Sequence, residues 1–341
     1  MGNNRTLRRL GLIAFLAAIP ISLALVGGFF GSIHPALDSL AHFRIHLAVA
    51  LICLSPFLLI LPGFRWNGLL AAVLGAWAII SVTGIYFIPG LAPVQASTKA
   101  GPEDGPVYRL LQLNLRFNNP SPGDVLSLVG RLRPDVVTLE EVSPMWTEKL
   151  ALLENAYPFR LFCTLDGYAG GVAIMSLRPF SEGSEGMCVE GGTFGTATVD
   201  FGGFMVDVAA MHLHWPWPFG QMKQIADLAP TLANLGDNAI LAGDLNATPW
   251  SEASAQVAQA AAMKQLGPAN PTWIWRRLPE WLRFAGLPID RIFAKGEIVV
   301  HSVRTLEPVG SDHLPVLVEF SPKPPEVEDD PLATSLALVT P

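Results

Sequence analysis

Three apolar windows in the first quarter of the chain constrain its fold more than any other feature. They run from about Leu10 to Gly31, from His46 to Leu61 and from Gly68 to Ile88, and each is nearly free of charged residues. A bilayer core needs about 20 apolar residues per helix. The windows therefore predict three transmembrane helices, which make residues 1–88 a membrane anchor.

The middle window is the weakest of the three. Arg44 and His46 crowd its start, and Pro56 and Pro62 interrupt it. Neighbouring helices can satisfy the backbone group that a proline leaves free, so Pro56 alone does not argue against a span. A re-entrant or interfacial segment stays open as the alternative.

The basic residues beside the windows indicate an orientation. Arg5, Arg8 and Arg9 precede the first window and Arg65 precedes the third, and such residues favour the cytoplasmic side. The first window could also be a signal peptide, but its cleavage would not release a chain with two further spans. Three crossings place everything after Ile88 outside, which in a bacterium means the periplasmic face of a multi-pass inner-membrane protein.

Composition divides the remainder into three parts. Residues 89–106 are rich in proline and glycine and predict a linker, residues 107–320 predict one globular domain, and residues 321–341 predict a disordered acidic tail. Residues 100–341 carry 16 basic and 28 acidic side chains, which argues against a broad grip on a nucleic-acid backbone. A nuclease stays open, because bound divalent metal ions offset local charge.

Two cysteines, Cys163 and Cys188, lie outside the apolar windows. They could form a disulfide in an oxidising compartment. A disulfide needs close and correctly directed Cβ atoms, and the sequence gives no distance between the two. Two buried free thiols are therefore the preferred interpretation, with the disulfide as the alternative.

Short apolar runs bounded by turn residues predict the strands of the domain. The runs are Val107–Leu115, Val136–Leu139, Gly171–Ser176, Phe204–Leu213, Ala239–Leu241, Arg291–Phe293 and Leu314–Phe320. The predicted helices are Gly123–Leu132, Met145–Asn155, Phe219–Leu235 and Ser251–Leu266. This mixed order predicts an α/β fold in which residues at strand ends gather around one cleft.

Polar residues follow several of these strands at the point where each strand ends. Glu141 follows the second strand, and a carboxylate in that position can hold a hard cation such as Mg²⁺, which prefers oxygen ligands. His212 and His214 are two residues apart, so alternation puts both on one face of a strand. A structural role is the alternative for each of these histidines.

The same spacing recurs at Asp244 and Asn246, for which a simple hydrogen-bonded turn is the alternative. Asp290 and the pair Asp312-His313 come later in the chain. A histidine oriented by a separate aspartate can activate water, because the carboxylate fixes the tautomer and stabilises the imidazolium. These residues suggest one phosphoesterase centre.

Taken in order, these segments resemble the motif series of the endonuclease/exonuclease/phosphatase superfamily. The segments are Asn114, Pro134–Glu141, Gly170–Pro179, His212, Gly243–Asn246, Ile289–Ile292 and Ser311–His313. The resemblance covers residues 107–320 and rests on order and spacing, since no single motif is decisive. It implies a four-layered α/β sandwich, in which two central mixed β-sheets are flanked by helices, as in deoxyribonuclease I.

The resemblance also implies a metal site. Glu141 would bind Mg²⁺ or Mn²⁺ with help from Asn114, and Asp312 would complete the acidic cluster on the metal side. The family usually has glutamine directly before the metal-binding glutamate, and this chain has Glu140 there. An added carboxylate could raise the pKa of a neighbour or strengthen metal binding.

The remaining roles implied by the resemblance concern the phosphoryl group. His313, paired with Asp290, would be the general base or a phosphate-binding imidazole. Asp244 would orient the attacking water or a metal ion. Asn246 and His212 would stabilise the charge that builds on the phosphoryl oxygens.

Tryptophans cluster near these motifs. They are Trp215, Trp217, Trp250, Trp273, Trp275 and Trp281. Packing in the core and loops is the preferred interpretation, and a membrane-facing lip, with Arg276, Arg277 and Arg283 meeting anionic head groups, is the alternative.

The predicted function is a membrane-anchored, metal-dependent phosphoesterase acting on a phosphodiester or phosphomonoester. Nucleic acid, phospholipid and other envelope phosphoesters stay open as substrates. A catalytically silent, membrane-anchored binding or scaffold module with the same fold is the alternative, and the near-complete set of polar residues counts against it. The three apolar windows contain no acidic residue, so anchoring is a simpler role for them than transport or sensing.

Overall fold

A computed structural model describes residues 2–84, 106–164, 170–183, 185–267 and 270–323. The predicted linker, apart from Pro106, and the predicted acidic tail beyond residue 323 lie outside these described residues.

The apolar windows, with the segment between the first two, form helices α1 (Gly2–Gly27), α2 (Pro35–Ala41), α3 (Arg44–Ile60) and α4 (Arg65–Gly84). By length and composition, α1 and α4 can each cross a membrane. Helices α2 and α3 meet at an angle of 61° and make a third candidate span only when taken together. The described residues therefore contain two or three candidate spans, and the middle window is the one in question, as its sequence indicates.

These helices pack as a bundle in which α3 runs antiparallel to α1 and α4. Gly11, early in α1, packs against the ring of Phe64, which directly precedes α4. Phe29, after the end of α1, packs against Trp77 late in α4, with ring centroids 4.5 Å apart. Large apolar side chains cover the outside of the bundle, such as Leu23, which is 68% exposed. Helices that are apolar on every side are typical of a membrane environment.

Twelve strands follow within the described residues. They are β1 (Tyr108–Asn114), β2 (Val136–Val142), β3 (Phe159–Cys163), β4 (Gly171–Ser176), β5 (Met187–Val189), β6 (Phe194–Asp200), β7 (Met205–His212), β8 (Ala239–Asp244), β9 (Lys264–Leu266), β10 (Asp290–Lys295), β11 (Ile298–Thr305) and β12 (Val316–Pro322). One sheet has the order β11-β12-β1-β2-β4-β3, and the other has the order β5-β6-β7-β8-β10-β9. The pairs β1–β2 and β7–β8 are parallel and the other pairs are antiparallel, so both sheets are mixed.

The helices of the domain are α5 (Pro122–Leu132), α6 (Pro144–Leu150), α7 (Gln221–Ala233) and α8 (Glu252–Ala260). Strand alternation gives each sheet two apolar faces. In β1, Leu110 faces the core between the sheets, whereas Leu111 and Leu113 pack with the residues of α5 and α6. Helices α7 and α8 cover the outer face of the other sheet. Two mixed sheets flanked by helices are thus confirmed.

The predicted helix Ser251–Leu266 was wrong in its C-terminal part. The chain leaves α8 at Ala260, turns through Ala262 with a φ of 52°, and continues as β9. Lys264–Leu266 pair with β10, so hydrogen bonds to a distant strand override the local helical pattern.

Cys163 and Cys188 form a disulfide, so the preferred interpretation of two free thiols was wrong. Cys163 ends β3, the edge strand of one sheet, and Cys188 lies in β5, the edge strand of the other. The disulfide therefore joins the two sheets at one side of the sandwich. Neither strand was predicted, so no predicted strand pairing brought the two cysteines together.

Candidate active site

Strand pairing brings the predicted site residues to one end of the sandwich. In one sheet, Asn114 lies opposite Glu140 where the parallel strands β1 and β2 end. In the other sheet, His212 lies opposite Asp244 where β7 and β8 end, and Asp290 lies opposite Asp244 at the start of antiparallel β10. The two sheets thus bring their polar ends to the same edge.

A glycine allows the strands beneath Asp244 to approach closely. A Cβ atom on Gly243 would lie 2.0 Å from the carbonyl oxygen of Met211 in β7. Any other residue would push β8 away from β7 and would move Asp244 away from His212.

Asp290 and His313 form a buried pair at the base of the site. The Nδ1 atom of His313 lies 2.8 Å from Oδ2 of Asp290. Gln112 donates to the other carboxylate oxygen at 2.9 Å, and the hydroxyl of Thr272 accepts the backbone N–H of Asp290 at 3.1 Å. These contacts fix the carboxylate, which in turn fixes the imidazole.

The charges of this pair stabilise each other. Burial lowers the pKa of His313, but the negative charges of Asp290 and Asp244 outweigh burial and raise the pKa to about 10. Burial raises the pKa of Asp290, but the charge and hydrogen bond of His313 outweigh it and bring the pKa below the usual value. The pair is therefore an imidazolium–carboxylate pair near neutral pH.

Asp244 lies at the centre of the polar cluster. Its Oδ2 atom accepts a hydrogen bond from Nδ2 of Asn114 at 2.9 Å and lies 3.6 Å from Nε2 of both His212 and His313. Its Oδ1 atom accepts the backbone N–H of Asn246 at 2.8 Å. Burial raises the pKa of Asp244, and the charge of His313 offsets part of that rise.

A bulge turns Glu141 into the cleft. The register between β2 and β4 shifts between Leu139 and Val142, and Glu141 has a φ of 56°. Its carboxylate accepts from Asn114 Nδ2 at 3.2 Å and from the backbone N–H of Phe117 at 2.8 Å. A non-glycine residue in the left-handed region is strained, and such residues cluster at functional sites.

The neighbouring Glu140 takes a different place. It is fully buried, and its Oε2 atom accepts a hydrogen bond from Gln112 Nε2 at 2.8 Å. Burial and the charge of Asp290 raise the pKa of Glu140 well above its usual value, which favours the neutral acid. It belongs to the buried network behind Asp290 and does not line the cleft.

Asn246 connects the site to two other parts of the chain. It has a φ of 48°, and its side-chain amide donates to the carbonyl of Leu213 at 2.8 Å. Its backbone carbonyl lies 3.2 Å from Nε2 of both Gln221 in α7 and His42, which directly follows α2. The hydrogen-bonded turn at Asp244 and Asn246, which was the alternative interpretation of this segment, is therefore present. Contacts with Gln221 and His42 fix its position.

A cleft of about 970 Å³ opens above these residues. Six of the eight predicted site residues line it, namely Glu141, His212, Asp244, Asn246, Asp312 and His313. The other two, Asn114 and Asp290, lie directly behind them and hold Glu141, Asp244 and His313 in place. Trp215, Phe219, Trp273 and Trp275 form apolar walls, and Arg116 and Arg276 also line the cleft.

Three residues that hydrogen-bond to the site carboxylates or to the backbone beside them were not predicted from the sequence. Gln112 lies two positions before Asn114 in β1, so period-two alternation could have placed it on the same face. Thr272 and the backbone N–H of Phe117 had no local signal, because each meets its partner through long-range packing.

The donor set fits a divalent cation of the kind that prefers oxygen. Glu141 and Asp244 present carboxylate oxygens on either side of Asn114, and Asp312 lines the same cleft. Asn114 turns its amide nitrogen, not its oxygen, toward both carboxylates, while its oxygen accepts the N–H of Arg116.

Asp244, Asp290 and His313 form a second possible group, with ligand atoms within 4.8 Å of one another. Because Asp290 and His313 already bind each other, the side of the cleft near Glu141 suits a cation better.

Several solved structures share this fold. An endonuclease/exonuclease/phosphatase from Beutenbergia cavernae is 20% identical, with a TM-score of 0.50, and the match covers 64% of this chain and 72% of that one. A humanized D. rerio TDP2 is also 20% identical, with a TM-score of 0.51 and coverage of 63% and 99%. The human Nocturnin catalytic domain with a bound sulfate anion is 19% identical, with a TM-score of 0.51 and coverage of 64% and 94%.

At these identities the structures establish a shared fold. No curated protein sequence gave a significant match. The model of the Endonuclease/Exonuclease/phosphatase family matches residues 111–313, which is more than half of the chain. The match includes all eight predicted site residues, and the chain therefore belongs to the Endonuclease/Exonuclease/phosphatase family.

Proposed function

We propose that the protein is a membrane-anchored, divalent-metal-dependent phosphoesterase. The observation that carries the proposal is the geometry around Asp244, whose Oδ2 atom lies 3.6 Å from Nε2 of both His212 and His313. These two imidazoles and the carboxylate line the floor of an open cleft of about 970 Å³, which has room for a phosphoryl group and a water. Such preorganised donors are worth most where charge develops in the transition state.

His313 acts on the phosphoryl oxygens in this proposal. Both of its nitrogens face carboxylate oxygens, with Nδ1 at 2.8 Å from Asp290 and Nε2 at 3.6 Å from Asp244. This arrangement favours the imidazolium, which donates a hydrogen bond at Nε2 and does not accept a proton there. Of the two roles implied by the family, phosphate binding therefore suits His313 better than general-base catalysis.

Asp244 orients the attacking water. Asn246 and Asn114 each donate a hydrogen bond to one of its oxygens, so the carboxylate has a fixed orientation at the cleft floor. A carboxylate held in this way can accept a hydrogen bond from a water and hold it in line with the phosphorus atom. Asn246 and His212, which also line the cleft, complete the surroundings of the phosphoryl oxygens.

The residues proposed to hold Mg²⁺ or Mn²⁺ are Glu141 and Asp312, and Asn114 assists through its hydrogen bond to the Glu141 carboxylate. The cation, when bound, supplies positive charge that stabilises the phosphoryl oxygens in the transition state. The chain itself fixes the Glu141 carboxylate through Phe117 and Asn114, so the ligand is oriented before a cation arrives.

The proposed location of the domain, residues 107–320, is the periplasmic side of a bacterial inner membrane, with residues 1–88 as the anchor. Arg8 and Arg65 lie at the end of the helix bundle that is remote from the domain, which favours a cytoplasmic position for that end. The disulfide between Cys163 and Cys188 supports an oxidising compartment for the domain.

Thiol alkylation in intact cells tests this location. We expect Cys163 and Cys188 to resist a membrane-permeant maleimide until a reductant is added, because the disulfide blocks both thiols. A Cys53→Ser background removes the remaining cysteine. Full labelling without reductant would contradict the periplasmic location.

A substrate panel tests the function. The full-length chain, purified in detergent, is assayed with Mg²⁺ or Mn²⁺ on plasmid DNA, RNA, sphingomyelin, phospholipids, inositol phosphates and bis(p-nitrophenyl) phosphate. We expect hydrolysis of bis(p-nitrophenyl) phosphate and of at least one class of natural substrate. The polar residues of the cleft need only a phosphoester that can reach them. A folded protein that is inactive on the whole panel would instead support the silent binding or scaffold module.

A further inference from the structure

An apolar groove lies between the membrane anchor and the catalytic domain. Its volume is about 190 Å³. The anchor contributes Ser39, His42 and Phe43, and the domain contributes Trp215, Pro216, Trp217, Phe219, Asn246, Leu287 and Ile289. Seven of these ten residues have apolar or aromatic hydrocarbon side chains, so the groove suits hydrocarbon.

The groove continues into the catalytic cleft. Trp215, Phe219 and Asn246 line both spaces. A single elongated molecule can therefore place a polar group at Asp244 and His313 while an apolar segment lies in the groove.

The other end of the groove lies where the helix bundle begins. Phe43 directly precedes α3 and is 49% exposed. Trp217, on the opposite side of the groove, packs against the ring of His34 in the anchor with ring centroids 6.3 Å apart. With the helix bundle in a membrane as proposed, the groove starts near the bilayer surface and leads toward the cleft.

Hydrogen bonds fix the distance between the bilayer and the cleft. The buried carboxylate of Asp38 accepts the backbone N–H groups of Glu252 at 2.7 Å and Ala253 at 3.1 Å, so the anchor caps the start of α8. The indole of Trp250 donates to the carbonyl of Ala41 at 2.7 Å. Because α8 follows directly after the loop that contains Asn246, the anchor holds one wall of the active site.

Exposed aromatic side chains lie around the contact between the anchor and the domain. Trp281 and Phe284 are 73% and 75% exposed, and they lie in the short helix that ends at Ala285, whose carbonyl lies 2.8 Å from Nε2 of His46. Phe219, between groove and cleft, is 67% exposed. Exposed aromatic residues beside the end of a membrane-spanning bundle are typical of the membrane interface.

We propose that the groove binds a hydrocarbon chain of a membrane lipid whose phosphoester group lies in the catalytic cleft. The inference rests on the proposed function and narrows its substrate class to lipid phosphoesters. A nucleic acid has no hydrocarbon chain to fill the groove, and the acidic composition of the domain does not favour its backbone.

Chain-length dependence tests this proposal. The full-length protein in a non-ionic detergent is assayed with methyl, butyl and octyl p-nitrophenyl phosphate, which share one reacting group and differ only in the alkyl chain. Each methylene that leaves water for the groove increases kcat/KM by about fourfold at full burial. We expect the octyl ester to exceed the methyl ester by at least about tenfold, because burial in an open groove is partial.

Two groove variants and one control separate binding in the groove from partition into detergent. Trp217→Ala removes a wall, and Ser39→Leu fills the space, so each should reduce the octyl-to-methyl ratio to about a third or less. Leu152→Ala changes a side chain that is 73% exposed outside the groove and cleft, and it should keep the wild-type ratio. Detergent partition is the same for all four proteins, so it cancels in the comparison.

The outcomes distinguish this inference from the function on which it rests. If the methyl ester is hydrolysed but the ratio is near one in the wild type, or is unchanged in both groove variants, the groove does not bind the chain and the phosphoesterase proposal stands. If a folded protein hydrolyses none of the esters, both proposals fail.

Discussion

Replacing His313 with alanine is expected to lower kcat/KM for bis(p-nitrophenyl) phosphate by about 10³-fold to 10⁴-fold. The imidazole is 4% exposed, is held by Asp290 at 2.8 Å and directs Nε2 toward the cleft. Its removal takes away the cationic donor to the phosphoryl oxygens and leaves Asp290 and Asp244 without their positive partner. The effect should appear in kcat more than in KM, because the charge develops in the transition state.

A double-mutant cycle gives this prediction a second readout. Asp290→Asn removes the charge that orients His313, and its effect in the His313→Ala background should be far smaller than in the wild type, because the two residues act as a unit. His301→Ala is the matched control, since His301 is also buried but bonds to Ser321 in the outer part of the sheet. A folded His313→Ala protein that keeps kcat/KM within tenfold of the wild type would contradict the assigned role.

Replacing Glu141 with glutamine is expected to raise the Mg²⁺ concentration for half-maximal activity by at least about 10-fold to 100-fold, the range that is common when a metal site loses a supporting group. Glutamine keeps the size of the side chain, and its oxygen can still accept the N–H of Phe117. The change therefore removes the negative charge and places an amide nitrogen where an oxygen accepts from Asn114. A titration of activity against Mg²⁺ measures the shift.

The control for this variant is Glu148→Gln, which changes an exposed glutamate in the nearby helix α6. It should leave the Mg²⁺ dependence unchanged, because Glu148 does not line the cleft. Equal Mg²⁺ dependence in the wild type and the Glu141→Gln variant would place the cation elsewhere, and the group formed by Asp244, Asp290 and His313 would then be the next candidate.

Much of the site could be predicted because its residues follow strands at recognisable positions. Asp244 and Asn246 come directly after a strongly apolar run, and a carboxylate after such a strand faces the sheet edge. The resemblance implied the pair of His313 with Asp290, whereas the position of Asp290 opposite Asp244 in the sheet was found only in the structure. Local pattern and the order of the motifs were therefore sufficient to select these residues, but not to give their arrangement.

The remaining features depend on contacts that no local pattern encodes. The cap that Asp38 provides for α8 joins residues more than 200 positions apart, as does the contact between His42 and Asn246. Strands β3 and β5 are short and lie at sheet edges, so their sequences carry little strand signal, and the disulfide between them was missed with them.

The N-terminal helices were therefore predicted as a tether alone, although in the structure they contribute directly to the surroundings of the candidate site. Asp38 orders the start of α8, and His42 contacts the carbonyl of Asn246. The sequence separates these parts by a long stretch, and only the folded chain brings them together.

Hydrolysis of bis(p-nitrophenyl) phosphate before and after metal removal tests the central claim most directly. The full-length protein is stripped with a chelator, returned to metal-free buffer, and assayed again after Mg²⁺ or Mn²⁺ is added back, with its folding checked at each step by circular dichroism. A metal-dependent phosphoesterase should lose activity on stripping and regain it when the cation returns. A folded protein that hydrolyses the diester equally well without metal, or not at all with it, would contradict the proposal.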